Sequence, residues 1–556
     1  MTAWLGRDEL RVGLGCMRLG EDGATAIEAA VEAGLTVFDT ARAYEGSEEL
    51  LARTLRGVAG ARIVTKGGMS RPGGAWVPDG RAKAIRADCE SSLKALAHAE
   101  IDLYLLHAPD PRTPWRTSVR ALASLVEKAL VPRVGVCNVN RAQLDEALEL
   151  APIAAVQVGL SVFDDRPLRG GIVDRCAQLG ITLIAHSPLG GPRRAPRLSR
   201  HDVVPDLARA HGVSAAEVAL AWLLGLDPNV VAIPGARRPE TVRSSARAAS
   251  LRLSDDDRAR IGYARRRPAR SRRRGPAANV VLVMGIQGAG KSRVAAEYVG
   301  RGYVRLNRDE RGGSLPELAS ALDDALQSGS REIVLDNTYL TRAARNDVVE
   351  SAARHGVSVR CVWLDTPLAQ AQVNLVERLL DRFDALPTPA QLRAAAQLEP
   401  GLLTPTQQMR AARELEPPGD DEGFASVERV PFERTARAGA RGVYVATGAI
   451  GVFPLEDLDP ASPHLVFDWR PGADAADLDD AVSAVAQAVS GEVVGALCPH
   501  PGGPPTCWCR PPLPGLLLEF ARRHGVDPAR SVVVGTGPAH RTLANALGAR
   551  YRAVSG

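Results

Sequence analysis

Short apolar runs alternate with amphipathic stretches over the first half of the chain. Between about residues 10 and 262, each apolar run ends in a polar residue or a glycine, and a stretch rich in Ala, Leu and Glu follows. Such runs predict buried strands, and the stretches between them predict helices. Eight runs fit: RVGLGC, TVFDT, RIVTK, IDLYLLH, PRVGVCN, AAVQVG, ITLIAHS and NVVAIPG. Eight strand–helix units predict an α/β fold, a TIM (β/α)8 barrel over residues 1–262.

A charged stretch follows the predicted barrel. Residues 264–278 hold seven Arg and two Pro and almost no apolar side chains, so residues 263–278 are predicted to form a solvated linker. Two interpretations are open: a spacer that extends because its charges repel each other, or an arm attracted to nucleic-acid phosphates.

Two further segments of alternating strands and helices follow the linker. The first, residues 279–436, opens with an apolar strand and contains the Pro/Gly/acid-rich stretch EPPGDDEG near its end. The second, residues 437–556, has strand candidates in GVYVATG, HLVFDW, EVVGALC and SVVVGT. A chain of 556 residues is too long for one core of ordinary size, which agrees with several domains.

Composition narrows the setting of the protein. The 69 Lys and Arg against 64 Asp and Glu give a net charge of only +5, which does not by itself point to nucleic acid. Eight Cys are sparse, the first residues lack a signal-peptide pattern, and no apolar run approaches the roughly 18 residues that span a bilayer. We expect a soluble cytoplasmic protein without a membrane partner; its oligomeric state is open.

Polar side chains stand where the predicted barrel strands end. Asp39 ends the second strand, with Tyr44 five residues on, Lys66 ends the third and His107 the fourth. In a TIM barrel the active site lies at this end of the strands. A Tyr with a pKa near ~10 is a poor acid unless a nearby cation stabilises its phenolate, and Lys66 paired with Asp39 could do so. His107 would then orient a substrate carbonyl.

The stretches FDTARAYEGSEELLARTL, IVTKGG, IDLYLLH, VGVCN and IPGARRPE resemble the aldo-keto reductases over the whole barrel. The resemblance implies hydride transfer from NADPH to an aldehyde or ketone, with Tyr44 as general acid. It also implies cofactor contacts: Asn138, Gln157 and Ser187 at the nicotinamide, and Arg237 and Arg238 at the 2′-phosphate. The sequence departs from the family pattern at Cys137, where a Ser is usual, and at Ser244 and Ser245, where a Glu-Asn pair is usual.

The second segment opens with a phosphate-binding loop. VVLVMGIQGAGKS is an apolar strand followed by G-x-x-x-x-G-K-S, with Gly285, Gly290, Lys291 and Ser292 in the pattern and Gly288 between them. Backbone N–H groups of such a loop cradle phosphates, the Lys reaches the transferring phosphoryl group, and the Ser hydroxyl ligates Mg²⁺. The segment is therefore predicted to be a P-loop α/β kinase domain that uses ATP with Mg²⁺.

The acceptor is suggested by the stretches that follow. GYVRLNRDERGGS, REIVLDNTYLTRAARNDVV, VRCVWLDTPLAQAQVNLVERLL and EGFASVERVPFER resemble, in this order, the kinase half of polynucleotide 5′-kinase/3′-phosphatases. The resemblance implies a 5′-hydroxyl end of DNA or RNA as acceptor. Asp309 is then the candidate base, Asp336 lies near the phosphates or the acceptor, and Arg378 is the candidate lid arginine. A small-molecule acceptor is the open alternative.

The third segment contains CPHPGGPPTCWCRPP, a C-x-H-x₆-C-x-C pattern formed by Cys498, His500, Cys507 and Cys509. Four such ligands close a tetrahedral Zn²⁺ shell and leave no position for water, which predicts a structural site. A disulfide is the competing interpretation, but two Cys separated by one residue bridge badly.

This segment resembles zinc-loop phosphatases of the haloacid-dehalogenase type, which implies a small Rossmann-like domain. Its catalytic positions, however, do not match: Ala446 and Gly448 stand for the aspartate pair, Pro511 for the lysine, and Thr536 and His540 for the later acids. Asp468 alone does not rebuild the site. Phosphatase activity is therefore predicted to be lost.

The expected protein is bifunctional, a carbonyl reductase joined to a kinase. One hypothesis is nucleic-acid end repair, in which the barrel reduces an aldehyde left at a broken terminus and the kinase phosphorylates the 5′-end. A second is metabolic: the barrel makes a small alcohol that the kinase phosphorylates. A third makes the barrel a nicotinamide sensor that regulates the kinase.

Overall fold

The structure, a computed structural model, describes residues 4–262 and 279–554, apart from residues 7, 8, 21, 22, 98, 400 and 435–437. The chain divides into two compact units, Met1–Ala269 and Arg270–Gly556. The predicted linker, residues 263–278, lies outside the described residues. Within the described part of the chain, no helix is both long and apolar enough to cross a membrane.

The first unit is a closed parallel barrel. Its strands are β1 (Leu14–Gly15), β2 (Val37–Asp39), β3 (Arg62–Gly67), β6 (Ile101–Leu106), β7 (Val134–Cys137), β8 (Ile153–Gly159), β9 (Thr182–His186) and β10 (Val230–Ile233), and a short hairpin adds β4 (Met69–Ser70) and β5 (Val77–Pro78). The barrel strands neighbour one another in chain order. A parallel bridge between Val12 and Ala232 joins the last strand to the first. The predicted TIM barrel is confirmed.

Helices follow the strands as the sequence pattern predicts. They are α1 (Ala24–Glu32), α2 (Ser47–Thr54), α3 (Ala82–Leu96), α4 (Trp115–Glu127), α5 (Arg141–Leu148), α6 (Arg166–Arg169), α7 (Ile172–Leu179), α8 (Gly191–Arg194), α9 (Val204–His211), α10 (Ala215–Leu224), α11 (Pro239–Arg247) and α12 (Asp255–Ile261). Several begin at a capping box; at α10, for example, Ser214 and Glu217 satisfy each other's backbone N–H groups.

The second unit contains two parallel five-stranded sheets. The middle sheet has the order β12–β13–β11–β14–β15 and the C-terminal sheet the order β18–β17–β16–β19–β20. The strands are β11 (Asn279–Met284), β12 (Val304–Leu306), β13 (Glu332–Asp336), β14 (Val359–Asp365), β15 (Ser426–Pro431), β16 (Val443–Ala446), β17 (His464–Trp469), β18 (Val493–Cys498), β19 (Val532–Gly535) and β20 (Arg550–Ala553). The helices are α13 (Lys291–Val299), α14 (Arg308–Arg311), α15 (Leu315–Gln327), α16 (Arg342–Arg354), α17 (Leu368–Phe383), α18 (Pro389–Leu398), α19 (Pro405–Glu414), α20 (Asp479–Ala488), α21 (Gly515–Arg523) and α22 (Pro538–Leu547).

One apolar cluster joins the two parts of the second unit. Val376 and Leu379 of α17 belong to the same buried cluster as Phe467 and Phe520 of the C-terminal part. The boundary predicted at residue 436 lies within the undescribed residues 435–437, and apolar packing continues across it. Separate middle and C-terminal domains therefore stay a prediction.

Candidate active sites

Asp39, Lys66 and His107 of the predicted barrel rim, and Gln157 beside them, converge because each lies two positions after a buried apolar residue inside the barrel; Tyr44 lies on the loop after β2. Alternate residues of a strand point to the same side, so the polar side chain continues the inward-facing row at the end of the strand. The pairs are Val37 and Asp39, Val64 and Lys66, Leu105 and His107, and Ala155 and Gln157. Strand periodicity therefore places the reactive groups together.

Lys66 is fully buried within this group. Its Nζ donates to Asp39 Oδ1 over 2.6 Å and to the Thr40 carbonyl over 2.7 Å. Gln157 Nε2 donates to the other Asp39 oxygen over 2.7 Å. Burial would lower the pKa of Lys66, but the Asp39 carboxylate, together with Tyr44 and Cys137, outweighs it, and the pKa lies above its usual value. Lys66 is thus a fixed positive charge at neutral pH.

Tyr44 and His107 lie edge to face beside this charge. Their ring centroids are 5.7 Å apart, and Lys66 Nζ lies 5.3 Å from the Tyr44 ring centroid. Burial raises the pKa of Tyr44 to about 12, although the Lys66 charge acts in the opposite direction. Burial, reinforced by the Lys66 charge, lowers the pKa of His107 to about 3. Both are neutral near pH 7: a phenol that can give a proton and an imidazole that can only hydrogen-bond.

Two side chains of this site are absent from the sequence-based prediction. Trp76, just before β5, has its ring centroid 6.2 Å from that of Tyr44 and 5.5 Å from that of His107. His186 Nε2 lies 3.0 Å from Asn138 Oδ1. His186 ends a barrel strand, so the strand-end rule could have found it. Trp76 follows no strand of the eightfold pattern, and the sequence carries no comparable signal for it.

A cavity of about 1120 Å³ opens at this rim. Its lining includes every residue predicted to hold the cofactor: Asn138, Gln157, Ser187, Arg237 and Arg238. The two arginines are exposed and directly precede α11. The predicted cofactor residues therefore face one continuous space.

The two departures from the family pattern have different surroundings. Cys137 is buried and lines the cavity, and its sulfur accepts a hydrogen bond from Asn138 Nδ2 over 3.2 Å. Ser245 is buried and donates to the Thr241 carbonyl within its own helix over 3.0 Å. Cys137 thus takes part in the arrangement of the cavity, whereas the Ser245 hydroxyl only donates a hydrogen bond to a backbone carbonyl of its own helix.

The phosphate-binding motif forms the turn between β11 and α13, as predicted. Gly285, Gly288 and Gly290 have φ angles of 148°, 85° and 94°, which favour glycine. A Cβ on Gly288 would lie 2.2 Å from the Ala371 carbonyl oxygen of α17, and Asn374 Nδ2 donates to the Gly288 carbonyl over 2.8 Å. Glycine is therefore required for α17 to pack directly on the loop.

A second cavity, of about 920 Å³, lies at this loop. It is lined by these predicted residues: Gly288, Gly290, Lys291, Ser292, Asp309, Asp336 and Arg378. Gly285 lies beneath, where a Cβ would be 2.9 Å from the Leu364 carbonyl oxygen. Lys291 Nζ donates to the Ile286 carbonyl over 2.9 Å, and burial lowers the pKa of Lys291 to about 8.

The two aspartates of this cavity that the sequence predicts, Asp309 and Asp336, differ in their exposure and in their partners. Asp336 is buried, forms an ion pair with Arg305 and accepts a hydrogen bond from Asn307 Nδ2 over 3.2 Å. Neither partner belongs to the sequence-based prediction. Asn307 Oδ1 also accepts from the Asp309 backbone N–H over 2.7 Å, while the Asp309 side chain is 49% exposed. Of these two aspartates, Asp309 is therefore the one that an incoming group could reach.

The predicted metal ligands come together. The ligand atoms of Cys498, His500, Cys507 and Cys509 all lie within 4.8 Å of one another. Cys509 Sγ lies 3.2 Å from His500 Nδ1, and Cys498 Sγ lies 3.7 Å from Cys507 Sγ. The edges of a tetrahedral Zn²⁺ shell would measure about 3.5–3.8 Å. The donor set and its spacing fit zinc.

The strand ends of the C-terminal sheet lack a reactive constellation among the described residues. Ala446 is buried at the end of β16, and Thr536 follows β19 with its N–H donating to His540 Nδ1 over 3.3 Å. Asp468 accepts from the Thr447 hydroxyl and from Arg470 Nε, the latter over 2.8 Å. The one carboxylate here is engaged by its neighbours.

Comparison with known proteins agrees with the barrel fold and with an oxidoreductase class for it. Residues 11–265 match the family model described as the aldo/keto reductase family, and residues 280–400 match that of an AAA domain. Aldo-keto reductase str7 of Strobilurus tenacellus is 30% identical over 263 residues, which cover 42% of this chain and 77% of that protein. Probable aldo-keto reductase 1 of Glycine max is 30% identical over 290 residues, covering 44% and 83%. The chain belongs to the aldo/keto reductase family.

A solved structure is similar over the same part. The aldo-keto reductase from Klebsiella pneumoniae in complex with NADPH is 28% identical and covers 45% of this chain and 89% of its own, with a TM-score of 0.40. The family-model match over residues 11–265 lies in the first unit, and a P-loop, kinase-like segment follows it.

Proposed function

We propose that the barrel reduces an aldehyde or ketone with NADPH and that Tyr44 supplies the proton. The observation that carries this is that Tyr44 and His107 line one cavity while the buried Lys66 charge lies 5.3 Å from the Tyr44 ring centroid. NADPH, when bound, supplies the hydride that adds to the carbonyl carbon. Tyr44 donates its hydroxyl proton to the carbonyl oxygen, and Lys66 stabilises the phenolate that remains. His107, whose Nδ1 has no partner among the described residues, orients the substrate by hydrogen bonding.

The choice of NADPH over NADH is assigned to Arg237 and Arg238. Both guanidiniums are exposed at the cavity, at the amino end of a nine-residue helix, and both features favour a phosphate. Equilibrium binding measurements should show that Arg237→Ala together with Arg238→Ala weakens NADPH and leaves NADH unchanged. Equal weakening of the two cofactors would contradict this assignment.

We further propose that the phosphate-binding loop transfers the γ-phosphoryl group of ATP to the 5′-hydroxyl of a nucleic-acid end. Lys291 and Ser292 line the loop cavity and would contact the phosphates and Mg²⁺. Asp309 would take the proton of the attacking hydroxyl, ADP would leave, and Arg378 would stabilise the transferring group. The exposed carboxylate of Asp309, in the same cavity lining as Arg378, supports an acceptor that enters from outside.

The acceptor is tested with labelled ATP, Mg²⁺ and 5′-hydroxyl DNA or RNA. We expect transfer that Lys291→Ala and Asp309→Ala abolish. Arg311→Ala, on the same short helix as Asp309 but outside the cavity lining, serves as the control. Label on a small alcohol produced by the barrel, and none on the oligonucleotide, would favour the metabolic alternative.

Under this proposal the two activities serve nucleic-acid end repair. The barrel would reduce an aldehyde at a broken terminus to an alcohol, and the kinase would restore the 5′-phosphate. Incubation with NADPH and aldehyde-ended oligonucleotides tests the first step. Reduction of free small aldehydes alone would remove the repair hypothesis without affecting the reductase assignment.

The cysteine–histidine cluster is proposed to bind a structural Zn²⁺. Its four ligand atoms would fill a tetrahedral shell, so no position is left for a reactive water. The metal would hold together the loop between β18 and α21. Trp508, inside this loop, donates from Nε1 to the Leu403 carbonyl over 3.0 Å, so the loop also supports the segment between α18 and α19.

A further inference from the structure

The cavity at the phosphate-binding loop is bounded on one side by the C-terminal part of the chain. Its lining includes Leu518 of α21, the turn formed by Asp527, Pro528 and Ala529, and Leu547 at the end of α22. These five residues are called the C-terminal wall. None of them is a metal ligand candidate or a position that the phosphatase resemblance assigns to catalysis.

The strand order of the middle sheet shows which part of the cavity this wall faces. Strand β11, which leads into the phosphate loop, is central; β12, which precedes Asp309, is at one edge, and β15 is at the other. Neighbouring strands lie about 4.8 Å apart, so the two edges are roughly 19 Å apart. With phosphates in the central loop, the acceptor approaches from the Asp309 edge, and the rest of the nucleotide extends toward β15.

The C-terminal wall stands at the β15 edge. Arg434, just after β15, donates to the carbonyls of Leu547 and Ala546 over 2.7 and 2.6 Å. It also donates to Gln370 Oε1 over 2.7 Å, and Gln370 Nε2 donates to the Ala546 carbonyl over 3.0 Å. These bonds hold the end of α22 against α17 and the segment after β15. The wall is therefore on the side away from Asp309.

The two sides of the cavity differ in chemistry. The Asp309 side is polar, with Asn307, Arg308 and Asp309 in the lining. The β15 side combines apolar surface with charged groups at its border: Val430, Pro431, Phe432, Leu518, Pro528, Ala529 and Leu547 line it together with Glu433, Arg434 and Asp527. A planar base with apolar faces fits such a slot and can stack on an aromatic side chain.

We propose that the C-terminal wall and Phe432 form the base-binding part of the nucleotide site, so that the C-terminal segment contributes to ATP binding although it lacks the aspartates of a phosphatase. The inference rests on the proposed use of ATP at the phosphate loop. It assigns this segment a role in nucleotide binding that needs no catalytic residue of its own.

The test measures dissociation constants of the full-length protein for ATP and for inorganic tripolyphosphate, both with Mg²⁺. Tripolyphosphate can occupy the phosphate loop but has no base. Phe432→Ala should weaken ATP about tenfold, and Ala529→Leu, which fills the slot at an exposed position, should act in the same direction. Neither should change tripolyphosphate binding. Ala486→Leu, an exposed alanine of α20 outside the cavity, should change neither ligand.

Three results would overturn the inference: ATP binding unchanged in both variants, ATP and tripolyphosphate weakened by the same factor, or a raised KM for the oligonucleotide with ATP unaffected. The last would assign the wall to the acceptor. Failure of the proposed function looks different, because Lys291→Ala would then bind ATP as tightly as the unaltered protein.

Discussion

The barrel and the C-terminal sheet both present the carboxyl ends of parallel strands, but they carry different residues there. The barrel ends in Asp39, Lys66 and His107: Lys66 donates a hydrogen bond to Asp39, and Asp39 and His107 line the same cavity. The C-terminal sheet has Ala446 and Thr536 at the corresponding places. Parallel strands alone therefore do not make an active site. Whether one is present depends on the type of residue that follows the last inward-facing apolar position of each strand.

The largest effect that tests this contrast is expected at Tyr44. Tyr44→Phe removes the proton donor and should lower kcat for carbonyl reduction by about 10²–10⁴-fold, while NADPH binding, followed by fluorescence, stays unchanged. Tyr104→Phe is the matched control: its hydroxyl donates to the Ile85 carbonyl of α3 over 3.2 Å, between the strands and the surrounding helices, and Tyr104 does not line the cavity. A near-normal kcat in Tyr44→Phe would show that another group donates the proton.

The C-terminal part should instead lose metal and stability when a ligand is changed. Cys507→Ser opens the proposed zinc shell, so the metal content should fall from one zinc per chain to none. The unfolding temperature of the second unit should drop by roughly 5 °C. Cys361→Ser alters another buried cysteine of this unit, outside the cluster, and should keep the metal. Zinc retained in Cys507→Ser would show that this thiol is not a ligand.

A smaller, pH-dependent effect is expected at Asp39. In the unaltered protein the pKa of Lys66 lies above its usual value, so Lys66 stays charged and kcat is flat through neutral pH. Asp39→Asn removes the carboxylate charge but keeps Lys66 buried. Burial lowers the pKa of Lys66, so Lys66 loses its proton as the pH rises. The variant's kcat should then fall about tenfold per pH unit above that lowered pKa. A flat profile in the variant would mean that Asp39 does not hold the Lys66 charge.

Much of the barrel site could be predicted because its residues lie at the ends of strands, and the strands are recognisable from their apolar runs. Asp39, Lys66 and His107 each end an apolar run that is visible in the sequence. Trp76 could not be found in this way, because it lies in a short hairpin outside the repeat. The Arg305–Asp336 ion pair depends on β12 lying beside β13. The order of strands in a sheet cannot be predicted from the two apolar stretches that form these strands.

The second unit shows the same limit on a larger scale. The phosphate loop and the cysteine–histidine cluster are local patterns, so their residues were identified in the sequence. The C-terminal wall consists of residues such as Leu518 and Ala529, which carry no motif and reach the loop cavity only through packing against α17. Local motifs therefore predicted which residues of the loop and of the cysteine–histidine cluster come together, while the residues that surround them could be identified only from tertiary contacts.

The smallest effect is expected at Asp468, the one carboxylate at the strand ends of the C-terminal sheet within the described residues. Its partly exposed ion pair with Arg470 should be worth less than about 1 kcal/mol, so Asp468→Asn should barely change the unfolding temperature. Because Ala446 and Gly448 offer no nucleophile beside it, neither the intact chain nor the variant should hydrolyse p-nitrophenyl phosphate. Turnover in the intact chain that Asp468→Asn abolishes would make Asp468 a catalytic residue. The C-terminal sheet would then resemble the barrel, in which the strand ends also carry the chemistry.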